Sequence, residues 1–195
     1  MRASRFRRLP LVPLLATLML MTSVGCAEKG EPGNDSVTEL TEPRQALSEE
    51  LMVALSQAKN FHHKADVHLK DAQLDLAIDS LKRILEIPFP KDAAEALDVV
   101  LDARARLAKL LITRGDLEAA MTVANNGLSS SERESFFLAN LYTVRGQIWE
   151  ARALRADEGG DLEGGKKARK SAIVDLNRSI TINSAVLKRI ATEAK

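Results

Sequence analysis

The chain has 195 residues, with 28 Lys and Arg against 27 Asp and Glu, 45% hydrophobic residues, 4% aromatic residues and one cysteine. One cysteine excludes an internal disulfide, and charge this balanced, with no basic run interleaved with aromatics, gives nucleic-acid binding no support. The apolar content over about 150 globular residues predicts one domain with a continuous core.

Arg2, Arg5, Arg7 and Arg8 form a positive head, Leu9 to Thr22 is an apolar run, and Ser23-Val24-Gly25-Cys26 follows. This is the pattern of a secretory signal. The run is shorter than the ~20 apolar residues that span a bilayer, and Pro10 and Pro13 weaken it as a helix. Gly25-Cys26 resembles the end of a bacterial lipoprotein signal, although Ser23 stands where that family usually has leucine. The resemblance implies that the Cys26 thiol is acylated, with palmitate among the chains, and becomes the new N-terminus. Two or more acyl chains anchor a protein stably. Ala27 and Glu28 lack the aspartate that commonly retains such lipoproteins at the inner membrane, so the implied address is the periplasmic face of the outer membrane. The alternative is cleavage elsewhere and a soluble periplasmic or secreted protein.

Residues 1–26 are thus read as the signal peptide, 27–42 as a tether and 43–195 as a helical domain. The tether is rich in Glu, Gly, Pro, Asn, Asp and Ser, a composition that cannot bury a core. About 15 such residues reach ~20 Å. Without the four leader arginines the balance is 24 basic against 27 acidic residues, a net of −3.

From Pro43 to Ala72 no glycine or proline interrupts the pattern Leu47, Leu51, Ala54, Leu55, Ala58, Phe61, Ala65, Leu69, which predicts one long helix. Thr41 is a candidate cap and Pro43 suits the first turn. Leu74, Ala77, Ile78, Leu81, Ile84 and Leu85 recur at three and four residues and predict a second helix, stopped by Pro88 and Pro90. A third is expected from Lys91 to Thr113, broken by Gly115. A fourth follows from Asp116 to about Leu128, with Asn125-Asn126-Gly127 as end signals. Ser131 and Glu134 resemble a capping box opening a fifth helix that buries Phe137, Leu141, Val144, Ile148 and Ala151. The sixth carries Ile173, Leu176 and Ile180, and Ala185 to Ala194 is expected to cap the stack. No strand pattern competes.

Ala77, Ala120 and Ala172 are followed four residues on by Leu81, Ala124 and Leu176, and eight on by Leu85, Leu128 and Ile180. Ala65 and Ala108 precede the first two by twelve residues. These positions resemble the tetratricopeptide repeat (TPR), a helix–turn–helix of about 34 residues that stacks on its neighbours. The fold implied is all-α: a right-handed TPR-like solenoid of about three irregular hairpins with a C-terminal capping helix. The alanines lie 43 and 52 residues apart, so extra turns or loops are expected between units. A second register is open for the third hairpin, because Gly160-Asp161-Leu162-Glu163 echoes Gly115-Asp116-Leu117-Glu118.

Candidate chemistry is sparse. Gly160 to Lys167 approaches a phosphate-binding loop, yet no strand precedes it, Lys167 takes the hydroxyl position, and Asp161 and Glu163 would repel phosphate; a solvated linker fits better. His62, His63 and His68 lack the four-residue spacing of a helical metal pair. The acidic residues of the first two helices interleave with lysines as on a solvated face. Neither a catalytic constellation nor a metal, cofactor or small-molecule substrate is expected. Trp149 is read either as core packing or as a partner anchor. In the TPR family the first helices line a groove for a protein partner. By resemblance the lining here draws on Lys59, His62, Asp66, Lys70, Arg106, Lys109, Asn140, Gln147 and Glu150, with Arg106, Lys109, Asp66, Lys70 and Gln147 nearest its centre. The function implied is a non-catalytic, lipid-anchored periplasmic adaptor binding another envelope protein. The alternative is a self-associating structural subunit of an envelope complex.

Overall fold

The computed structural model describes residues 48–194 apart from Asp92, and these form six helices with no strand among them. They are α1 (Glu49–Lys70), α2 (Leu74–Ile84), α3 (Ala94–Arg114), α4 (Leu117–Leu128), α5 (Phe136–Glu158) and α6 (Leu162–Glu193). Consecutive helices pair: α1 packs on α2, α3 on α4 and α5 on α6. Between pairs, α3 contacts both α1 and α2, and α5 contacts both α3 and α4. The core runs through these contacts, with Ile78, Leu81, Ile84, Leu101, Leu107, Leu141, Val144, Ile148 and Ile182 fully buried.

One turn joins the two helices of every pair. Ala72 N–H donates to the Leu69 carbonyl at 3.1 Å and Gln73 N–H to His68 at 2.8 Å. Gly115 and Asp116 repeat this toward Ile112 and Leu111, both at 2.9 Å, and Gly160 and Asp161 toward Asp157 and Ala156 at 3.0 and 2.8 Å. This is the Schellman arrangement, which satisfies the last carbonyls of a helix and needs a left-handed residue. Ala72, Gly115 and Gly160 supply it with φ of 56°, 85° and 84°. In the second and third turns the next residue also caps the following helix: Asp116 accepts from Ala119 N–H at 3.2 Å and Asp161 from Gly164 N–H at 2.8 Å.

The turns also settle the register of the third hairpin. Counting five residues on from each left-handed residue gives Ala77, Ala120 and Gly165, all buried. Twelve residues before these stand Ala65, Ala108 and Ala153, also buried. Gly165, not Ala172, therefore holds in the third pair the position that Ala77 and Ala120 hold in the other two. A Cβ there would lie 3.2 Å from the Ala153 carbonyl oxygen. The turn residues are 43 and 45 residues apart, and no loop is inserted between Trp149 and Gly165: α5 runs to Glu158 and Asp161 opens α6. The sequence read as a linker is a cap and a first helical turn.

Other boundaries differ for equally local reasons. The expected starts at Thr41 and Pro43 lie outside the described residues. Within them α1 begins at Glu49, where the Ser48 Oγ accepts from Leu51 N–H at 3.1 Å. The third helix starts at Ala94, later than Lys91. Asn125-Asn126-Gly127 lies inside α4, and Gly127 is buried there because α5 passes so close that a Cβ would meet Leu141. Ser135, not Ser131, caps α5, accepting from Leu138 N–H at 3.2 Å. No separate capping helix forms, since α6 continues unbroken to Glu193. Ile173 and Ile180, expected in the core, are exposed, and Leu176 is half-buried. α6 instead turns Gly165, Ala168, Ala172, Asp175, Ser179 and Ile182 inward.

Candidate partner-binding surface

Three of the four residues that tie α1 to α3 belong to the expected groove lining. Arg106 on α3 donates through one guanidinium nitrogen to Asp66 Oδ1 and through another to His62 Nδ1 at 2.8 Å. On its far side, His62 Nε2 lies 3.7 Å from Asp102 Oδ2. An acceptor Nδ1 and an Nε2 facing a carboxylate describe the neutral ring with its proton on Nε2. Burial pushes the His62 pKa below its usual value and the Arg106 charge pushes the same way, against Asp102 and Asp66. Arg106 is therefore an occupied strut between two hairpins.

The remaining central residues stand apart from it. Lys109, one turn on from Arg106, is exposed, and no ion pair holds it among the described residues. Lys70 is exposed at the last turn of α1, and Gln147 is half-buried on α5. In the outer lining Lys59 and Glu150 are exposed and Asn140 is half-buried. The structure thus unites Asp66, His62 and Arg106, while Lys59, Lys70 and Lys109 are exposed lysines with no ion pair among the described residues. Of the other histidines, His68 Nδ1 meets Gln73 Oε1 at 2.7 Å, and His63 is exposed. Among the described residues no group of three or more His, Cys, Asp and Glu is placed to hold a metal ion.

A concavity lies over α5, between α4 and α6, with a volume of about 660 Å³. Glu118, Met121 and Asn125 form one wall, Ser171, Val174 and Asp175 the other, and Arg145, Trp149 and Arg152 the floor. Arg145 grips buried Asp175 through Nε at 2.8 Å and a terminal nitrogen at 2.6 Å, and also donates to Asn125 at 3.1 Å. This planar two-point pairing is the strong form of an ion pair. Arg152 lies over the Trp149 ring at 5.0 Å and donates to Glu118 at 2.8 Å. Trp149 thus packs against the core and floors a cleft at once. Sequence reasoning named neither Arg145 nor Asp175. Their one signal was a carboxylate at the position where Ala168, Ala172, Ser179 and Ile182 mark an inward face.

Cys26 and the leader lie outside the described residues, and no helix among those described is long and apolar enough to cross a membrane. No family model matches the chain, and no match was found among curated proteins or solved structures.

Proposed function

We propose that this chain is a lipid-anchored, non-catalytic adaptor of the bacterial envelope, a right-handed TPR-like stack of three hairpins that holds another envelope protein. The observation that carries the reading is the threefold recurrence of one hairpin. Each has the same Schellman turn, a buried small residue five positions after it (Ala77, Ala120 and Gly165), and a small partner twelve residues before that. Hairpins that contact only their neighbours make an extended surface of successive first helices, the usual use of such stacks. Exposed Lys109 and Lys70, with Lys59 farther out, are cations of first helices suited to an acidic segment of the partner. Anchoring at Cys26 rests on the signal-like head, the apolar run and Gly25-Cys26.

The test is a crosslinking pull-down from intact envelopes with the wild-type chain, Lys109→Glu and Cys26→Ser. Wild-type protein is expected in the membrane fraction with acyl mass, and Cys26→Ser in the soluble periplasm. Lys109→Glu should keep its helicity and lose capture of the native partner about tenfold, or about 1.4 kcal/mol. Membrane retention of Cys26→Ser would sink the anchor. Undiminished capture by Lys109→Glu would move the binding surface to the cleft over Trp149.

A further inference from the structure

One flank of α6 carries a row of large apolar side chains that nothing among the described residues covers. Leu162, Ile173, Ile180 and Leu187 are 68%, 58%, 63% and 68% exposed. At 3.6 residues per turn their spacings of 11, 7 and 7 bring all four within about 40° of one line, and the row is ~38 Å long. Among the described residues α6 packs on α5 alone, and the inward residues from Gly165 to Ile182 lie about 110° around the helix from this row, which leaves the row uncovered on a flank of α6. Monomeric surfaces scatter apolar residues singly, and a row of this kind, with Arg169 on its line between Leu162 and Ile173, marks an interaction site.

Charge decides what covers it. Residues 48–161 hold 14 Lys and Arg against 19 Asp and Glu, whereas α6 holds seven against three. Of the three acids, Asp175 is buried in its pair with Arg145, while Glu163 and Glu193 lie in the first and last turns. Arg169 pairs with Asp157 and Arg178 with Glu134. Lys166, Lys167, Lys170 and Lys188 remain exposed, with no ion pair among the described residues, and helical geometry places all but Lys167 along one edge of the apolar row. Unpaired lysines beside exposed Leu and Ile make the pattern of a helix that lies in an anionic lipid interface, where the stems rest on the apolar layer and the ammonium groups reach phosphate.

A second copy continuing the stack fits less well. Shifted back by 45 residues, Leu162, Lys166, Arg169 and Ile173 fall on Leu117, Met121, Ala124 and Leu128. The first three of these are buried and Leu128 packs against the core. Lys166 and Arg169 thus occupy positions that are apolar where one hairpin does receive the next. Pairing α6 with another α6 sets two cationic helices side by side. The more acidic remainder of the domain would in turn be repelled by an anionic surface, leaving α6 as the side that faces it.

We infer that the Leu162–Ile173–Ile180–Leu187 face of α6, with Lys166, Lys170 and Lys188, docks the domain onto an anionic phospholipid surface. The chain from Ala27 to Lys195 tests this independently of any anchor, because it keeps every described helix and lacks both Cys26 and the apolar run. It should co-sediment with phosphatidylcholine vesicles containing about one third phosphatidylglycerol and release as salt rises from about 0.05 M to about 0.5 M. Ile173→Ser with Ile180→Ser, both at exposed positions, should abolish sedimentation and leave the circular dichroism and melting temperature unchanged. Lys166→Gln, Lys170→Gln and Lys188→Gln together should weaken it about a hundredfold. Equal sedimentation with pure phosphatidylcholine overturns the proposal, as does none with the anionic vesicles at low salt. Concentration-dependent oligomers that the Ile173→Ser, Ile180→Ser variant abolishes, with no vesicle binding, would assign the face to a second copy. Vesicle binding that persists in both sets of variants would place the lipid contact elsewhere and overturn this assignment.

Discussion

Arg106 reaches from α3 to His62 and Asp66 on α1, so its charge is engaged across the hairpin boundary before any partner arrives. The residue-scale consequence is a pH dependence. Because the folded-state pKa of His62 is lowered, the unfolded chain binds its proton at a higher pH than the native one does. Unfolding then takes up a proton, and stability falls as pH drops below ~6.5 toward the folded-state value, being fully present above that. The urea midpoint should therefore decline between about pH 7 and pH 5, less steeply in His62→Gln, whose amide oxygen can still accept from Arg106. Exposed His63→Gln should keep the wild-type slope, and equal slopes in all three proteins would refute the linkage. Ala72 makes a second residue-scale case. It holds φ at 56° where the other two turns use glycine. Relieving its Cβ with Ala72→Gly should raise stability by about 0.5–1 kcal/mol, read by thermal melting.

At the scale of the helix, what could be read from the chain depended on which property each helix uses to pack. In α2 the bulky apolar stripe is also the packed stripe, so Ala77, Ile78, Leu81 and Ile84 announce both helix and face. In α6 the two come apart. Close approach to α5 requires small residues at Gly165, Ala168 and Ala172, while Asp175 and Ser179 are held inward by Arg145 and Thr143. Hydropathy picks the Ile173–Ile180 side because the ion pair that turns Asp175 inward involves a residue thirty positions away. The same displaced face concealed the third register, since Ala172 is a buried small residue one packing row beyond Gly165. Small-on-small contact is the testable part. Ala77→Leu, Ala120→Leu and Gly165→Leu each force methylenes between paired helices, for which overpacking costs ~1–3 kcal/mol. All three should lower the melting temperature; Ala172→Leu does not discriminate the two registers, because Ala172 is itself buried against Gly146. An unaffected Gly165→Leu would reinstate the Ala172 register.

Among the six described helices, the contact pattern is close to one-dimensional. α1 and α2 make no helix contact with α5 or α6, and α3 and α4 carry everything between them. In such a stack, stability is a sum of hairpin terms and neighbour terms, so one end can open while the other stays folded. α6 can be tested for this directly, because among the described helices it packs on α5 alone and one buried carboxylate sits in that single interface. Asp175→Ala removes the acceptor of a two-point ion pair and strands the Arg145 guanidinium. Breaking a buried pair costs ~3–5 kcal/mol, and about 2–3 is the expectation here because the arginine side chain keeps about a quarter of its exposure. Native-state hydrogen exchange should then show α6 amides losing protection by roughly 30- to 100-fold, with α5 following in part. α1 and α2, coupled only through the middle hairpin, should retain most of theirs. A uniform loss across all six helices would mean that the domain unfolds as one cooperative unit and that the hairpins, though alike in geometry, are not separable in energy.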